Sequence, residues 1–298
     1  MISEMKKNIY AILLAFVASF ALMSCSDDDP SSKSIFPTTS PTRDAFDKWL
    51  LNNYTYPYNV EMKYKMEDIE SDMKYTLVPA DSAKTAKLAI IMKYLWFDAY
   101  NEVIGPDFIK ENMPRTIHFI GSPAYNSEGT MVLGTAEGGL KITLYMVNEL
   151  DDETLKDYDV MNTYYFHTLH HEFTHILNQK IPYDQSFKLI TESGYVSGDW
   201  YMKSDATAHK AGFVTPYAMS EAVEDFAEML SNYVTITPDE WNAILADAGT
   251  TGASAIQAKL DIVRSYMQDS WNIDIDELRD AVLRRANSLG KVDLEHLN

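Results

Sequence analysis

The sequence predicts an α+β domain, a small mixed sheet followed by a mostly helical C-terminal half, and three observations carry that prediction. Strand-like alternation is confined to about residues 58–147, helical periodicity takes over from Asp159, and no internal repeat interrupts the order. The body, residues 43–298, is long enough for one large domain or two closely packed lobes, a strand-containing one to residue 158 and a helical one from residue 159.

Residues 1–24 carry Lys6 and Lys7, then an apolar run from Ile9 to Met23, then Ser24 directly before Cys25. That is the pattern of an export signal, with an apolar run short for spanning a bilayer. Leu22-Met23-Ser24-Cys25 resembles a bacterial lipobox, which implies removal of the leader and acylation of Cys25. Cys25 is the single cysteine of the chain, so no internal disulfide can form. Residues 25–42 are acidic and then Ser/Thr/Pro-rich, with little apolar surface to bury, and read as a solvated tether. The acidic run beside the cysteine is similar to the signal that sends Bacteroidota lipoproteins to the outer face of the outer membrane. The resemblance implies a lipid-anchored, surface-exposed protein.

Within the body, Ala45 to Asn53 is a short helical pattern, and YNVEMKYK, residues 58–65, alternates as a strand does. Asp81 to Val103 predicts a long amphipathic helix ended by Gly105-Pro106. Three strands follow at 115–120, 130–136 and 140–147, the last two separated by Glu137-Gly138-Gly139 and read as a hairpin. Residues 181–217 form an irregular stretch between helical patterns, where Tyr195, Trp200 and Tyr201 wall a cleft or pack lobes together.

The net charge of −19 argues against nucleic acid or anionic lipid headgroups as partners. Chemistry begins at TYYFHTLHHEFTHILNQ, residues 163–179, which holds four of the seven histidines. His171-Glu172-Phe173-Thr174-His175 is H-E-x-x-H. Positions four apart share a helix face, so His171 and His175 can present their rings to one ion. Glu172 then projects beside that ion without binding it, where a general base for activated water belongs. His167 and His171 share the spacing but lack the glutamate, so His167 and His170 are read as supporting residues. The helix is largely apolar otherwise, and unpartnered histidines in a buried helix would be costly.

A catalytic zinc needs three protein ligands and an open position. The motif does not continue with the glycine and third histidine of a metzincin, which makes a downstream carboxylate the better candidate. In YAMSEAVEDFAEMLSNY, residues 217–233, Glu221, Glu224, Asp225 and Glu228 fall near one another at helical spacing, opposite Val223, Phe226, Met229 and Leu230. A solvated acidic face fits that spacing as well as a metal site does.

H-E-x-x-H followed by Tyr-x6-Glu-x-Phe-Ala-Glu resembles the gluzincin core of the anthrax lethal factor family. It is more similar still to the zinc metallopeptidase lipoproteins of Bacteroidota encoded beside nutrient-import systems. Tyr217, Glu224, Phe226, Ala227 and Glu228 occupy the matching places. The resemblance implies one Zn²⁺ per chain held by His171, His175 and Glu224, with Glu228 orienting a ligand histidine and Tyr217 stabilising an oxyanion. The third ligand lies much further along than in thermolysin-like enzymes.

The resulting expectation is a surface-anchored zinc peptidase acting on a peptide or protein substrate, with Glu172 as base and Tyr217 as oxyanion donor. Strand 140–147 is a candidate edge for binding an extended peptide, and an ordinary hairpin strand fits it equally. Two other classes fit the same sequence. One is an accessory or binding lipoprotein of an outer-membrane nutrient-import complex that keeps the zinc and turns over little. The other is a zinc hydrolase of a non-peptide amide.

Overall fold

The computed structural model describes residues 42–66, 74–126, 129, 131–132, 134–137 and 140–297. The leader, Cys25 and the tether to residue 41 lie outside them, as do the turn residues Gly138 and Gly139. Arg43–Asn298 forms one compact unit.

Helix α1 (Ala45–Leu50) starts on a capping box in which Asp44 and Asp47 each accept the other's backbone N–H. It continues through a π-helical turn, Leu51–Thr55, into the short turn Tyr56–Tyr58. Strand β1 is only Glu61–Lys63, so the alternating run 58–65 is mostly not strand. Its first residue, Tyr58, ends the helical turn and is buried there. Asp81 caps α2 (Ser82–Met92), which runs through a π-turn, Lys93–Phe97, into α3 (Asp98–Val103) as the sequence predicts. Gly105, at φ +92, turns the chain into α4 (Pro106–Asn112).

Strands β2 (Thr116–Phe119), β3 (Ala124–Tyr125), β4 (Met131–Val132), β5 (Gly134–Glu137) and β6 (Lys141–Leu144) follow. The main sheet has the order β1-β2-β6-β5, parallel between β1, β2 and β6 and antiparallel between β6 and β5. The β5–β6 hairpin is present, but β6 lies between β2 and β5. The expectation that strand 140–147 forms an edge is therefore wrong. Parallel pairing to β2 is non-local and leaves no mark in the alternation, and among the described strands the edge on this side is β5. Gly134 brings β5 onto the next helix, since a Cβ there would stand 2.6 Å from Thr168 Cγ2.

Helix α5 (Tyr158–Met161) passes through a π-turn, Asn162–Phe166, into α6 (His167–Lys180), which carries the H-E-x-x-H motif. The stretch 181–217 is irregular apart from short turns and the helices α7 (Ser186–Leu189) and α8 (Asp205–Lys210). Three further helices complete the fold: α9 (Ala222–Thr235), α10 (Pro238–Trp271, kinked at Gly249) and α11 (Ile275–Ala286). No helix among the described residues is long and apolar enough to cross a membrane.

The core runs continuously from α1 to α11. On α6, Phe173 turns away from the histidines' face into an aromatic nest, with ring centroids 5.8 Å from Trp96, 5.3 Å from Tyr100 and 5.9 Å from Phe108. His170 shares that side. Its Nδ1 lies 3.1 Å from the Tyr100 hydroxyl, and burial pushes its pKa down to about 3, so it is neutral. This packing fixes the rotation of α6 about its own axis. Phe173→Ala is expected to lower unfolding free energy by about 3–5 kcal/mol without touching any charged group, as measured by denaturant titration.

Candidate metal centre

Alpha-helical geometry sends His171 and His175 to the face of α6 that packs on α9. There His171 Nε2 and His175 Nε2 lie 3.0 Å apart, at 2.9 and 3.2 Å from the same oxygen of Glu224, Oε2. Two imidazole nitrogens and a carboxylate oxygen, supplied from points 49 residues apart in sequence, thus converge on one spot. Of the four acids in the 217–233 helix, Glu224 alone reaches both rings.

Glu228 lies one turn further along α9, and its carboxylate is saturated. Oε1 sits 2.8 Å from His171 Nδ1 and 2.8 Å from His167 Nε2, while Oε2 accepts from the Thr215 hydroxyl at 2.6 Å and the Asn232 amide at 3.4 Å. By holding Nδ1, Glu228 directs Nε2 of His171 toward Glu224. Burial opposes charging His171, but the hydrogen bonds to Glu224 and Glu228 outweigh it and hold its pKa up to about 10. Burial likewise pushes both carboxylates up, and their histidine partners more than reverse it, keeping both well below the ordinary carboxylate range. A pocket this rich in anionic oxygen suits a cation, and proton and metal compete for the same Nε2. The donor set fits zinc: two imidazoles and a carboxylate, with the remaining side of the cluster opening on cavities.

Tyr217 occupies the turn before α9. Its ring lies 5.8 Å from that of His171 and 5.0 Å from that of Trp200. Burial first, and the neighbouring Glu224 carboxylate second, raise its pKa, so the hydroxyl keeps its proton and can donate it in a hydrogen bond. Glu172 stands between two cavities of about 460 and 450 Å³ and lines both.

A protein-family model described as "Putative zinc-binding metallo-peptidase" matches residues 39–276. The chain belongs to this family. Among solved structures, a crystal structure described in the same words, from Bacteroides caccae, is similar at 45% sequence identity with a TM-score of 0.76. The match covers 89% of this chain and 100% of that one. No curated protein matches.

Several residues that matter to this site were not singled out by spacing. Thr215 and Asn232 saturate Glu228. Asn232 follows it by one helical turn, a pairing legible in principle, whereas Thr215 arrives from the irregular segment and has no periodic signature. Asp225 reads as one more acid of a solvated stripe, yet it is wholly buried, as is Glu228 but for 3%. Val223, expected on the apolar side, is 44% exposed and lines the second cavity. The helix is buried nearly all round from Asp225 onward, so the acidic stripe is not a solvated face.

Asp225 Oδ2 accepts from Lys259 Nζ of α10 at 2.6 Å and from the Tyr195 hydroxyl at 2.8 Å. Lys259 also donates to the Gly212 carbonyl at 3.0 Å and lies 3.8 Å from the centre of the Phe213 ring. This buried pair ties the first turn of α9, and hence Glu224, to α10 and to the segment leading to Thr215. Lys259→Met should lower stability by about 3–5 kcal/mol by stranding a buried carboxylate, and adding Asp225→Leu should recover most of the loss. Denaturation of the four proteins of that double-mutant cycle checks both statements.

Proposed function

We propose that the protein is a zinc-dependent peptidase in which His171, His175 and Glu224 hold one metal ion and Glu172 acts as general base. The observation that carries this reading is the convergence of His171 Nε2, His175 Nε2 and Glu224 Oε2 beside Glu172 at the junction of two cavities. Held by His171, His175 and Glu224, a zinc ion would supply Lewis acidity toward the substrate carbonyl and the attacking water. Glu172 takes a proton from the attacking water as its oxygen bonds to the carbonyl carbon. It then delivers that proton to the amide nitrogen as the C–N bond breaks, leaving a carboxylate and an amine. The Tyr217 hydroxyl, kept protonated, donates to the oxygen that becomes negative in the tetrahedral state. Glu228 keeps the His171 ring oriented, and His167, Thr215 and Asn232 keep Glu228 in place. Anchoring at the outer membrane through Cys25 is part of the same proposal, supported by the leader sequence; association with an outer-membrane nutrient-import complex is supported by the family resemblance alone.

The experiment is to count zinc in the purified protein and follow cleavage of a broad peptide library. Glu172→Gln is expected to retain about one zinc per chain and to lose on the order of 10²–10⁴-fold in kcat. A zinc-loaded wild type that cleaves nothing across the library would overturn the peptidase reading in favour of the accessory-lipoprotein one.

Glu228→Gln is expected to weaken zinc binding by about 10–100-fold, because the amide presents a poorer acceptor to His171 Nδ1. Zinc affinity should also fall as pH falls, since a proton on His171, whose affinity for it is raised, must leave before metal binds. Competition titrations with a chromophoric chelator, run at several pH values, measure both effects.

A further inference from the structure

Histidines and glutamates between α6 and α9 form two clusters, and the metal reading above uses one of them. His167, His171 and His175 stand four apart on α6, while Glu224 and Glu228 stand four apart on α9, which passes them in the opposite direction. Each neighbouring pair of histidines therefore faces one carboxylate oxygen. His171 Nε2 and His175 Nε2 meet on Glu224 Oε2, at 2.9 and 3.2 Å; His171 Nδ1 and His167 Nε2 meet on Glu228 Oε1, both at 2.8 Å. Donor atoms bound to a tetrahedral zinc stand roughly 3.3 Å apart, so the second cluster takes an ion by opening about half an ångström.

The second cluster also has access. His167, His171, Thr215 and Glu228 all line the cavity of about 460 Å³, and His167, its side chain 23% exposed, is the most open of the three donors. Among the described residues lining that cavity there is no lysine or arginine to repel a cation. The far oxygen of Glu228 is held by Thr215 and Asn232, which leaves Oε1 aimed at the two rings.

The shared ring decides how the clusters are used. A neutral imidazole carries one lone pair and one N–H. With its lone pair on Nε2, His171 binds an ion beside Glu224 and turns Nδ1–H to Glu228. With its lone pair on Nδ1, it binds an ion beside Glu228 and turns Nε2–H to Glu224, 2.9 Å away. The two carboxylates exchange the parts of ligand and hydrogen-bond acceptor, and both ring nitrogens stay partnered.

We infer that the chain has a second metal position, formed by His167 Nε2, His171 Nδ1 and Glu228 Oε1, which takes a divalent cation of the zinc type as an alternative to the first. One lone pair cannot serve both, so the two positions exclude each other. The inference extends the metal reading above and does not depend on hydrolysis. An ion in the second position leaves His175 and Glu224 without one, so a chain can hold zinc and still lack the proposed hydrolytic centre.

The test is crystallographic, with the full chain loaded with zinc and the ion located by its anomalous scattering. In His175→Ala, which keeps all three donors of the second position, the ion should lie within about 2.1 Å of His167 Nε2 and His171 Nδ1. Glu224→Ala should give the same result, and stands in if His175→Ala does not fold. An ion that stays on His171 Nε2, or no bound zinc in either variant, overturns the inference. Chelator competition gives a second readout. His167→Ala removes a ligand in the His175→Ala background but only a support of Glu228 in the otherwise intact chain, so it should cost at least about tenfold more zinc affinity in the first than in the second. Equal costs in both backgrounds count against the second position. Wild-type crystals separate the two proposals. An ion on His171 Nε2, His175 and Glu224 upholds the first position whatever the variants show, whereas an ion on His167 sinks that assignment and leaves the second standing.

Discussion

Everything in the centre depends on one buried carboxylate. Glu228 receives His167 and His171 on one oxygen and Thr215 and Asn232 on the other, so three separate stretches of chain are held by a single side chain. A group that is 3% exposed can stay ionised only when its lone pairs are met, and here they are. The consequence reaches beyond stability. An imidazole with Nδ1 fixed has lost its ring-flip freedom, so His171 Nε2 points where Glu224 and His175 Nε2 already are. The fold alone thus orients the His171 ring, as the proposed metal site would require.

That arrangement demands a fixed register between α6 and α9, and the packing behind each helix provides it. Phe173 and His170 lock α6 against the π-turn after α2, α3 and α4, on the side away from His171 and His175. On α9, the Asp225–Lys259 pair and the stack of Phe226 on Tyr183, 4.2 Å between centroids, lock the turn that carries Glu224. Alternate residues of the same short segments thus serve opposite ends: Glu224 and Glu228 face the site while Asp225 and Phe226 face the core. Burying Asp225 costs desolvation, visible in a carboxyl pushed up to about 6 despite its lysine. An apolar pair would be cheaper for stability alone, so what the ion pair adds is direction, since its geometry admits one rotation of the helix.

Legibility in the sequence divides along the same line. Contacts set by helical spacing were readable: H-E-x-x-H names its own face, and the resemblance to a known core singled out Glu224, Glu228 and Tyr217, which the structure places beside His171. The α+β class, the long helix from Asp81 and the β5–β6 hairpin also follow from local pattern. What spacing could not supply is whatever depends on two distant segments meeting. The parallel pairing of β6 with β2, the lysine that meets Asp225, and the arrival of Thr215 and Trp200 at the cavity are all of this kind. The acidic run of α9 shows why: a solvated stripe and a buried polar network have the same periodicity, and burial distinguishes them, which is a tertiary property.

The position of Glu172 follows from helical geometry with no further assumption. A residue one step after His171 is rotated by about 100° from it, so it leaves the face of His171 and His175 yet stays at nearly the same height along the helix. With His171 and His175 directed at Glu224, that rotation leaves Glu172 lining both cavities. In the proposed reading, a base that borders both cavities would serve the water and the leaving amine in turn. One helix therefore fixes both the ligand pair and the division of the cleft into two sides. The chemistry of each side is left to segments outside the helix, β4 and the irregular stretch before Tyr217 on one hand and the turn after α6 on the other. Substitutions in those segments, Thr215 apart, would reshape the cavities without touching His171, His175 or Glu224.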